Sequence, residues 1–439
     1  MKPVIDGYIN GAKVPMLVDT GASKTYVTYY TARQLGLPQA DPSGHSYGIG
    51  GSNDIYDVIV NEFAVGPYAT GGYISMLSDT GTSDSFGALV GADILMRWDV
   101  ELWLAKKQID FFYTKNCGDT FLGYWDKDAM EVPLIRFASD KRPFVTVELN
   151  GVKIDAVIDT GASKSYVTLK AAEKVGLKLG ARLATPDSST RGIGKDSVNT
   201  WHEKFNFKLG DEVIQNAPLS VIEKEFSIFD DASILLGQDW LRAHRVLFAR
   251  SQMRMIYSYL GGEVFSSEDA LPWYAKDAEA GAADAQFAMA QYYGQRKNTS
   301  ASEEWLKKAA AQGNFSALVL LGRSSLAAAK YEDAEKYLQA GLKQQPNNTY
   351  VALWLYLAQY RSQGETSAAA NLAKYDSSDE AYWPLALIRF YLGRGSADAV
   401  RADAKKFGQN TCMVESFIHQ WQSAHTKEAS SAPWSCQPG

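Results

Sequence analysis

Through residues 1–260, short runs rich in Val, Ile, Tyr and Phe are punctuated by Gly, Asn and Asp, as in Val4-Ile5-Asp6-Gly7-Tyr8-Ile9, Val58-Ile59-Val60-Asn61-Glu62-Phe63 and Phe205-Asn206-Phe207-Lys208-Leu209. Apolar runs of this length bounded by turn formers predict β-strands. From about Glu268 the pattern changes to Ala-rich segments with small residues at close-packing positions, over Asp277 to Tyr293, Glu303 to Ala311 and Asn314 to Leu326. These predict helices. The chain therefore divides into a mostly β part and an all-α part.

The β part repeats itself. The stretch from Ile9-Asn10-Gly11-Ala12-Lys13 through Leu17-Val18-Asp19-Thr20-Gly21-Ala22-Ser23-Lys24-Thr25-Tyr26-Val27-Thr28 recurs from Leu149-Asn150-Gly151-Val152-Lys153 through Val157-Ile158-Asp159-Thr160-Gly161-Ala162-Ser163-Lys164-Ser165-Tyr166-Val167-Thr168, at a constant offset of 140 residues. Gly48-Ile49-Gly50 pairs with Gly192-Ile193-Gly194 at 144, and Leu89-Val90-Gly91-Ala92-Asp93 with Leu235-Leu236-Gly237-Gln238-Asp239 at 146. Order is kept while loop lengths differ, as expected of two drifted copies of one domain. After Gly91 and Gly237 a short helical stretch and a strand pair are predicted, Val100 to Tyr113 and Val246 to Tyr257.

Helical repeats follow. Gly281-x-x-Asp284-Ala285 is echoed 32 residues later by Gly313-x-x-Ser316-Ala317, a spacing close to that of helical-hairpin repeats. Tyr331 to Leu338, followed by Pro346-Asn347, resembles the second helix of a tetratricopeptide-like unit and its turn. The expected boundaries are a first half at 1–115, a connector at 116–132, a second half at 133–260, helical repeats at 268–426 and a mobile tail at 427–439.

Three elements recur in order in both halves: an apolar-apolar-Asp-Thr-Gly turn, a Gly-rich hairpin, and an apolar-apolar-Gly segment before a short helix. Over residues 4–258 this resembles the aspartic protease family, and Asp-Thr-Gly-Ala resembles its retropepsin branch more than the pepsins. The resemblance implies a multi-domain chain, with a bilobal, mostly β fold of pseudo-two-fold retropepsin-like halves ahead of the all-α repeats. It also implies catalytic carboxylates on Asp19 and Asp159, with Thr20 and Thr160 locking the turns together and Gly21 and Gly161 allowing close approach. The flaps would be Gly48, Ile49, Gly50 and Gly51 in the first half and Gly192, Ile193 and Gly194 in the second. Their unequal spacings predict asymmetric recognition of substrate.

Two carboxylates about 3 Å apart cannot both ionise, so one proton is shared and the pair titrates as a unit. Ala22 and Ala162 stand where pepsins usually carry a hydroxyl donor to the carboxylate. Without that donor the dyad should hold its proton to higher pH. Activity is expected to reach toward mildly acidic or near-neutral pH.

The implied activity is that of an aspartic endopeptidase acting on protein or peptide substrates, with the helical repeats docking substrates or a protein partner. The competing reading is a non-catalytic peptide-binding adaptor that keeps the protease fold. Intramolecular pairing of the halves is expected, hence a monomer. A third triplet, Asp79-Thr80-Gly81, sits in a polar stretch and reads as a surface loop.

Composition narrows the remaining classes. With 439 residues, 46% hydrophobic and 21% charged, the chain can bury two or three cores. A formal charge of -6 without a Lys/Arg run argues against nucleic acid as partner. No apolar stretch reaches the roughly 18 residues of a membrane span. No cofactor is implied and no metal-ligand spacing occurs; His45, His202 and His244 are expected in loops or on the surface rather than as ligands. Cys117, Cys412 and Cys436 are either three thiols or one Cys412–Cys436 bridge and a thiol. The arrangement resembles exported bacterial proteins, and a periplasmic or otherwise exported location, with a leader already removed, is the expectation.

Overall fold

The computed structural model describes residues 3–77, 86–135, 140–190, 192, 197–223, 233–265, 274–376, 383–406 and 411–425. The chain divides into two compact units, Met1–Ala270 and Leu271–Gly439. The loop reading of Asp79-Thr80-Gly81 falls outside the described residues.

The first unit is built from nineteen described strands: β1 (Val4–Ile9), β2 (Ala12–Val18), β3 (Tyr26–Thr28), β4 (Gln39–Gly48), β5 (Gly51–Val65), β6 (Tyr68–Leu77), β7 (Ala88–Val90), β8 (Asp99–Trp103), β9 (Gln108–Phe112), β10 (Met130–Pro133), β11 (Phe144–Leu149), β12 (Val152–Ile158), β13 (Tyr166–Thr168), β14 (Ser188–Thr190), β15 (Val198–Leu209), β16 (Glu212–Ile222), β17 (Ile234–Leu236), β18 (His244–Ala249) and β19 (Arg254–Tyr259). Four short helices accompany them: α1 (Tyr29–Gln34), α2 (Ala92–Leu95), α3 (Leu169–Lys174) and α4 (Gln238–Leu241).

The halves have one topology. The first forms a seven-stranded sheet in the order β1-β2-β7-β3-β6-β5-β4, and the second repeats it as β11-β12-β17-β13-β16-β15-β14. Each opens with an Asn-Gly hairpin, in which Asn10 and Gly11, and Asn150 and Gly151, take the positive φ that a two-residue turn requires. The Asn10 side chain then accepts from the Asn61 and Glu62 amides at 2.8 and 3.0 Å, and Asn150 accepts from the Asn206 amide at 2.8 Å. In both halves the turn is thereby pinned to a later strand.

A third sheet joins the halves. The strand pairs foreseen after Gly91 and Gly237 meet through β8 and β18, giving the order β10-β19-β18-β8-β9. Residues Met130–Val132, counted with the connector from sequence, and Pro133, the first of the second half, supply its edge strand and pair with β19. Val100 and Leu102 of one half and Val246 and Phe248 of the other thus enter one continuous core.

His244 corrects an expectation: it is fully buried rather than in a loop or on the surface. Its ring stacks on Trp240 at 4.2 Å, Nδ1 lies 2.7 Å from Trp240 O and Nε2 lies 2.8 Å from Glu212 Oε1. Both polar atoms are satisfied, so burial is tolerated. His45 is exposed and His202 partly so. Among the described residues no group of three or more His, Cys, Asp or Glu side chains is placed to hold a metal ion.

The second unit is all-helical among its described residues: α5 (Ala275–Glu279), α6 (Ala283–Gln295), α7 (Thr299–Ala311), α8 (Phe315–Ala327), α9 (Tyr331–Gln344), α10 (Thr349–Gln363), α11 (Glu365–Leu372), α12 (Leu385–Tyr391), α13 (Ala397–Lys406) and α14 (Thr411–His425). The single helix read from Asp277 to Tyr293 is broken between α5 and α6 at Gly281, whose φ is +97°. Gly313 takes the equivalent turn at φ +78°. Gln312 donates across to Gly281 O at 2.7 Å and Asn314 to Asp284 at 2.8 Å. Asn298, Asn314 and Asn348 cap α7, α8 and α10 by accepting from amides three residues on. The later helices close over buried Tyr356, Trp383 and Tyr391. No described helix is long and apolar enough to cross a membrane. Cys117 is free and Cys412 is disulfide-bonded, while Cys436 lies outside the described residues.

Candidate active site

Each Asp-Thr-Gly turn leaves the end of an inner strand and is tied at once to its neighbour. The Asp19 amide donates to Val90 O at 3.0 Å, and the Asp159 amide to Leu236 O at 2.8 Å. The strands ending at Gly91 and Gly237 pass so close behind that a Cβ on either glycine would stand 2.4 Å from Lys24 O or Lys164 O respectively. Only glycine fits there. Thr25 and Ser165 complete the support, donating to Asp93 and Asp239 at 2.8 and 2.6 Å while accepting from the Gly91 and Gly237 amides at 3.0 and 2.9 Å.

Thr20 and Thr160 are fully buried and cross from one half to the other. The Thr20 hydroxyl donates to Ile158 O at 2.7 Å and accepts from the Thr160 amide at 3.1 Å. The Thr160 hydroxyl donates to Val18 O at 2.7 Å and accepts from the Thr20 amide at 3.0 Å. Four hydrogen bonds in a dry environment hold the turns in one relative position.

That brace brings the aspartates together. Each carboxyl is packed against the glycine of the opposite turn, close enough for the two to interact. Asp19 Oδ1 accepts from the Ala22 amide at 3.0 Å, and Asp159 Oδ1 from the Gly161 and Ala162 amides at 2.7 and 3.2 Å. The alanines therefore contribute backbone donors, although their side chains have none. A Cβ on Gly21 would stand 2.2 Å from Asp159 Cγ, and one on Gly161 2.5 Å from Asp19 Oδ2.

Burial pushes the Asp159 carboxyl above its ordinary range; the Gly161 amide, Asp19, the Ala162 amide and the charge of Arg142 pull the other way without prevailing. Arg142 was not anticipated from sequence. It is 4% exposed, and its Nε donates to both Asp140 oxygens at 3.0 and 2.8 Å. Position 2, which matches Arg142 at the 140-residue offset, is Lys, so a cation seventeen residues before each aspartate is the signal in the repeat that would have found it.

The Gly48-Ile49-Gly50-Gly51 segment forms the turn between β4 and β5. Its Ile49 reaches across to the second half, against the cluster of Phe144, Val157, Tyr166, Val198, Ile222 and Leu235. Ile49 Cβ is 3.1 Å from where a Cβ on Gly192 would stand, so the two Gly-rich segments meet. Ile193 and Gly194 lie outside the described residues. Thr20, Gly21 and Ala22 meet Thr160, Gly161 and Ala162 at the paired turns, and Gly48 to Gly51 lie in the first Gly-rich hairpin.

Two like β halves, each contributing one aspartate across a pseudo-two-fold axis, define the bilobal architecture of aspartic proteases, here followed by an all-helical region. Two family models match, one per half. One described as "Aspartyl protease" covers residues 5–86, and one described as "gag-polyprotein putative aspartyl protease" covers residues 145–243. Among solved structures, the aspartic proteinase from Irpex lacteus matches over 60% of this chain and 96% of that one, with 11% identity and a TM-score of 0.37.

Proposed function

We propose that the chain is a retropepsin-like aspartic endopeptidase with its dyad on Asp19 and Asp159. The observation that carries this reading is the packing of each aspartate against the opposite Asp-Thr-Gly turn, inside the Thr20–Thr160 brace. Two facing carboxylates cannot both be charged, so the pair holds one proton. The charged member takes a proton from a water, whose oxygen attacks the scissile carbonyl carbon. The protonated member gives its proton to the carbonyl oxygen, forming a neutral tetrahedral diol. On collapse the protonated member gives its proton to the amide nitrogen as the C–N bond breaks, while the charged member takes one from a diol hydroxyl, which releases a carboxylic acid and an amine and leaves the dyad with its single proton.

Peptide lies extended under the flaps, its backbone pairing with theirs. Side chains on the two sides of the scissile bond meet different walls, because Ile49 already rests in the second half's apolar cluster. Thr20, Gly21 and Ala22, with Thr160, Gly161 and Ala162, hold and approach the carboxyls without taking part in bond making.

Cleavage of a diverse peptide pool across pH tests the reading. Asp19→Asn and Asp159→Asn, each confirmed folded, should each lose at least about a thousandfold in kcat/KM, since members of one catalytic unit fail together. Cleavage that survives either substitution removes the dyad, and an intact chain that cuts nothing at any pH favours the adaptor.

The helical unit is read as tetratricopeptide-like hairpins that dock protein substrates. The matched turns at Gly281 and Gly313 support this. A folded protein substrate should then be cut with a lower KM than the peptide spanning its scissile bond; equal values remove the docking role. Both halves of the dyad come from one chain, so the solution molar mass should be that of a monomer. The bonded state of Cys412 suits an oxidising, exported location such as the periplasm. Mass spectrometry finding Cys412 as a free thiol in protein from its native cells counts against it.

A further inference from the structure

The segments behind the two Asp-Thr-Gly turns share a backbone anchor and differ in what the side chains beside it can donate. The Ala92 amide at the start of α2 donates to Ala22 O at 2.8 Å, and the Gln238 amide at the start of α4 donates to Ala162 O at 2.9 Å. At the 146-residue offset, Ala92 and Met96 of the first half match Gln238 and Arg242 of the second. Alanine and methionine carry no side-chain donor, whereas glutamine and arginine do.

Gln238 is 1% exposed, and a primary amide taken out of water must have both ends satisfied. Its Nε2 donates to Thr160 O at 2.8 Å, and its Oε1 accepts from Arg242 Nη2 at 3.0 Å. These partners fix which way the amide points. Thr160 O can only accept and the guanidinium can only donate, so a flipped amide would lose both bonds. Arg242 stands one helical turn after Gln238, at the C-cap of α4, the spacing at which two side chains meet on one helix face.

Thr160 O is one end of a peptide unit whose other end is the Gly161 N–H, and that N–H donates to Asp159 Oδ1 at 2.7 Å. The unit is planar, so a donor fixed on the carbonyl fixes where the N–H points. The brace already uses the Thr160 hydroxyl and amide, which makes the carbonyl bond a separate tie. Hydrogen bonds in a chain also polarise one another in a dry setting. The guanidinium draws electron density toward the Gln238 oxygen, which makes Nε2 a better donor, and Nε2 does the same to the Thr160–Gly161 peptide. The chain ends on a carboxyl oxygen of the dyad.

We propose that Gln238, backed by Arg242, is a positioning residue that aims the Gly161 amide at the Asp159 carboxyl and favours its anion, an influence that α2 does not exert on the first turn. This rests on the endopeptidase reading. Both side chains act through the Thr160–Gly161 peptide rather than on the reacting atoms. The relay works against burial, which pushes the Asp159 carboxyl upward. Asp19 of the opposite turn, Arg142 ahead of β11 and Tyr166 on β13 also face Asp159, and the variants below leave all three in place.

The test uses the intact chain, with Gln238→Met, which keeps the length and removes the amide, Arg242→Met, Arg242→Lys, and the double Gln238→Met with Arg242→Met. Denaturant unfolding confirms that each is folded. Steady-state kinetics are measured across pH on one peptide that the unmodified chain cuts, and the aspartate carboxyls are titrated by carbon-13 NMR. Gln238→Met should lower kcat about three- to tenfold, the weight of one hydrogen bond, with KM within about twofold. Without the donor the anion is less stable, so the dyad holds its protons to higher pH. The carboxyl titration and the limbs of kcat/KM should therefore move up, and none should move down. Arg242→Met should show the same pattern at about twofold in kcat, and Arg242→Lys, which still carries a donor, should recover most of that loss. The double should be no worse than Gln238→Met alone, because the arginine acts through the glutamine. A loss that falls in KM, a titration that stays put or moves down, or a double that multiplies overturns the relay. If Gln238→Met does not fold, Arg242→Met against Arg242→Lys carries the same comparison. If the unmodified chain cuts nothing, the endopeptidase reading fails, and the carboxyl titration alone decides whether the relay acts on Asp159.

Discussion

In the first half the flap is a long antiparallel pair, Gln39–Gly48 against Gly51–Val65. In the second, a short 3-10 turn at Gly180–Ala184 leads into a strand described over Ser188–Thr190, against Val198–Leu209. The dyad turns of the same two halves differ hardly at all, keeping one offset of 140 residues from Ile9 to Thr28 and their hydrogen bonds to within a few tenths of an ångström. The contrast follows from what each part must fit. Thr20 must match Thr160 and Gly21 must clear Asp159, so change in one turn is penalised by the other. Each flap strand pairs within its own sheet, and the two drift.

The largest effect that could break this equivalence lies in the brace. Thr20→Val or Thr160→Val keeps the shape but removes two buried hydrogen bonds and strands a carbonyl and an amide of the opposite half. Each should destabilise the first unit by about 2–4 kcal/mol, at 1–2 kcal/mol per stranded group, with Ser largely restoring it. Denaturant unfolding of the two variants should give matching values. A clear inequality would mean that one half folds and holds the other.

How much of this was legible beforehand follows the same division. The repeated Leu-Val-Asp-Thr-Gly and Val-Ile-Asp-Thr-Gly turns and the apolar-apolar-Gly segments were readable because each is local and its residues admit few substitutes. The strand β10 and the β8–β18 pairing were not foreseen, since they depend on which edges remain open once both halves have folded. His244 misled because burial of an imidazole depends on Trp240 and Glu212, neither of which its immediate neighbours announce. Tyr26 and Tyr166 stood inside the repeat from the start. The bond between Tyr166 and Thr190 was hidden by the change of offset between turn and flap.

Next in size is a steric test of the two-fold axis. Gly21→Ala would place a methyl within reach of Asp159, and Gly161→Ala within reach of Asp19. A displacement of about 1 Å at the reacting groups costs on the order of a hundredfold, so each variant should lose about that in kcat while remaining folded. Because each glycine abuts the opposite aspartate, Gly21→Ala combined with Asp159→Asn should be no worse than Asp159→Asn alone. A further loss in that double would show that Gly21 acts on its own turn.

The smallest effect sharpens an electrostatic feature of the second half, the charge of Arg142 on Asp159. That charge favours the anion and opposes the upward push of burial. In Arg142→Gln, Asp159 should hold its proton to still higher pH, and the basic limb of kcat/KM, where the shared proton is lost, should move up. Arg142→Lys keeps the sign and should leave the limb nearer its original place. The stability of the same variants carries the matching sign. A carboxyl whose folded pKa lies above the unfolded value stabilises the fold fully below the ordinary carboxylate pKa, and that contribution fades as pH rises through the folded value. Arg142→Gln stretches the fading window upward, so its stability deficit against the unmodified chain should be larger at neutral pH than in acid. A limb that moves down, or a deficit larger in acid, would mean that Arg142 acts on the dyad through Asp140 and the packing of Phe144 rather than through its charge.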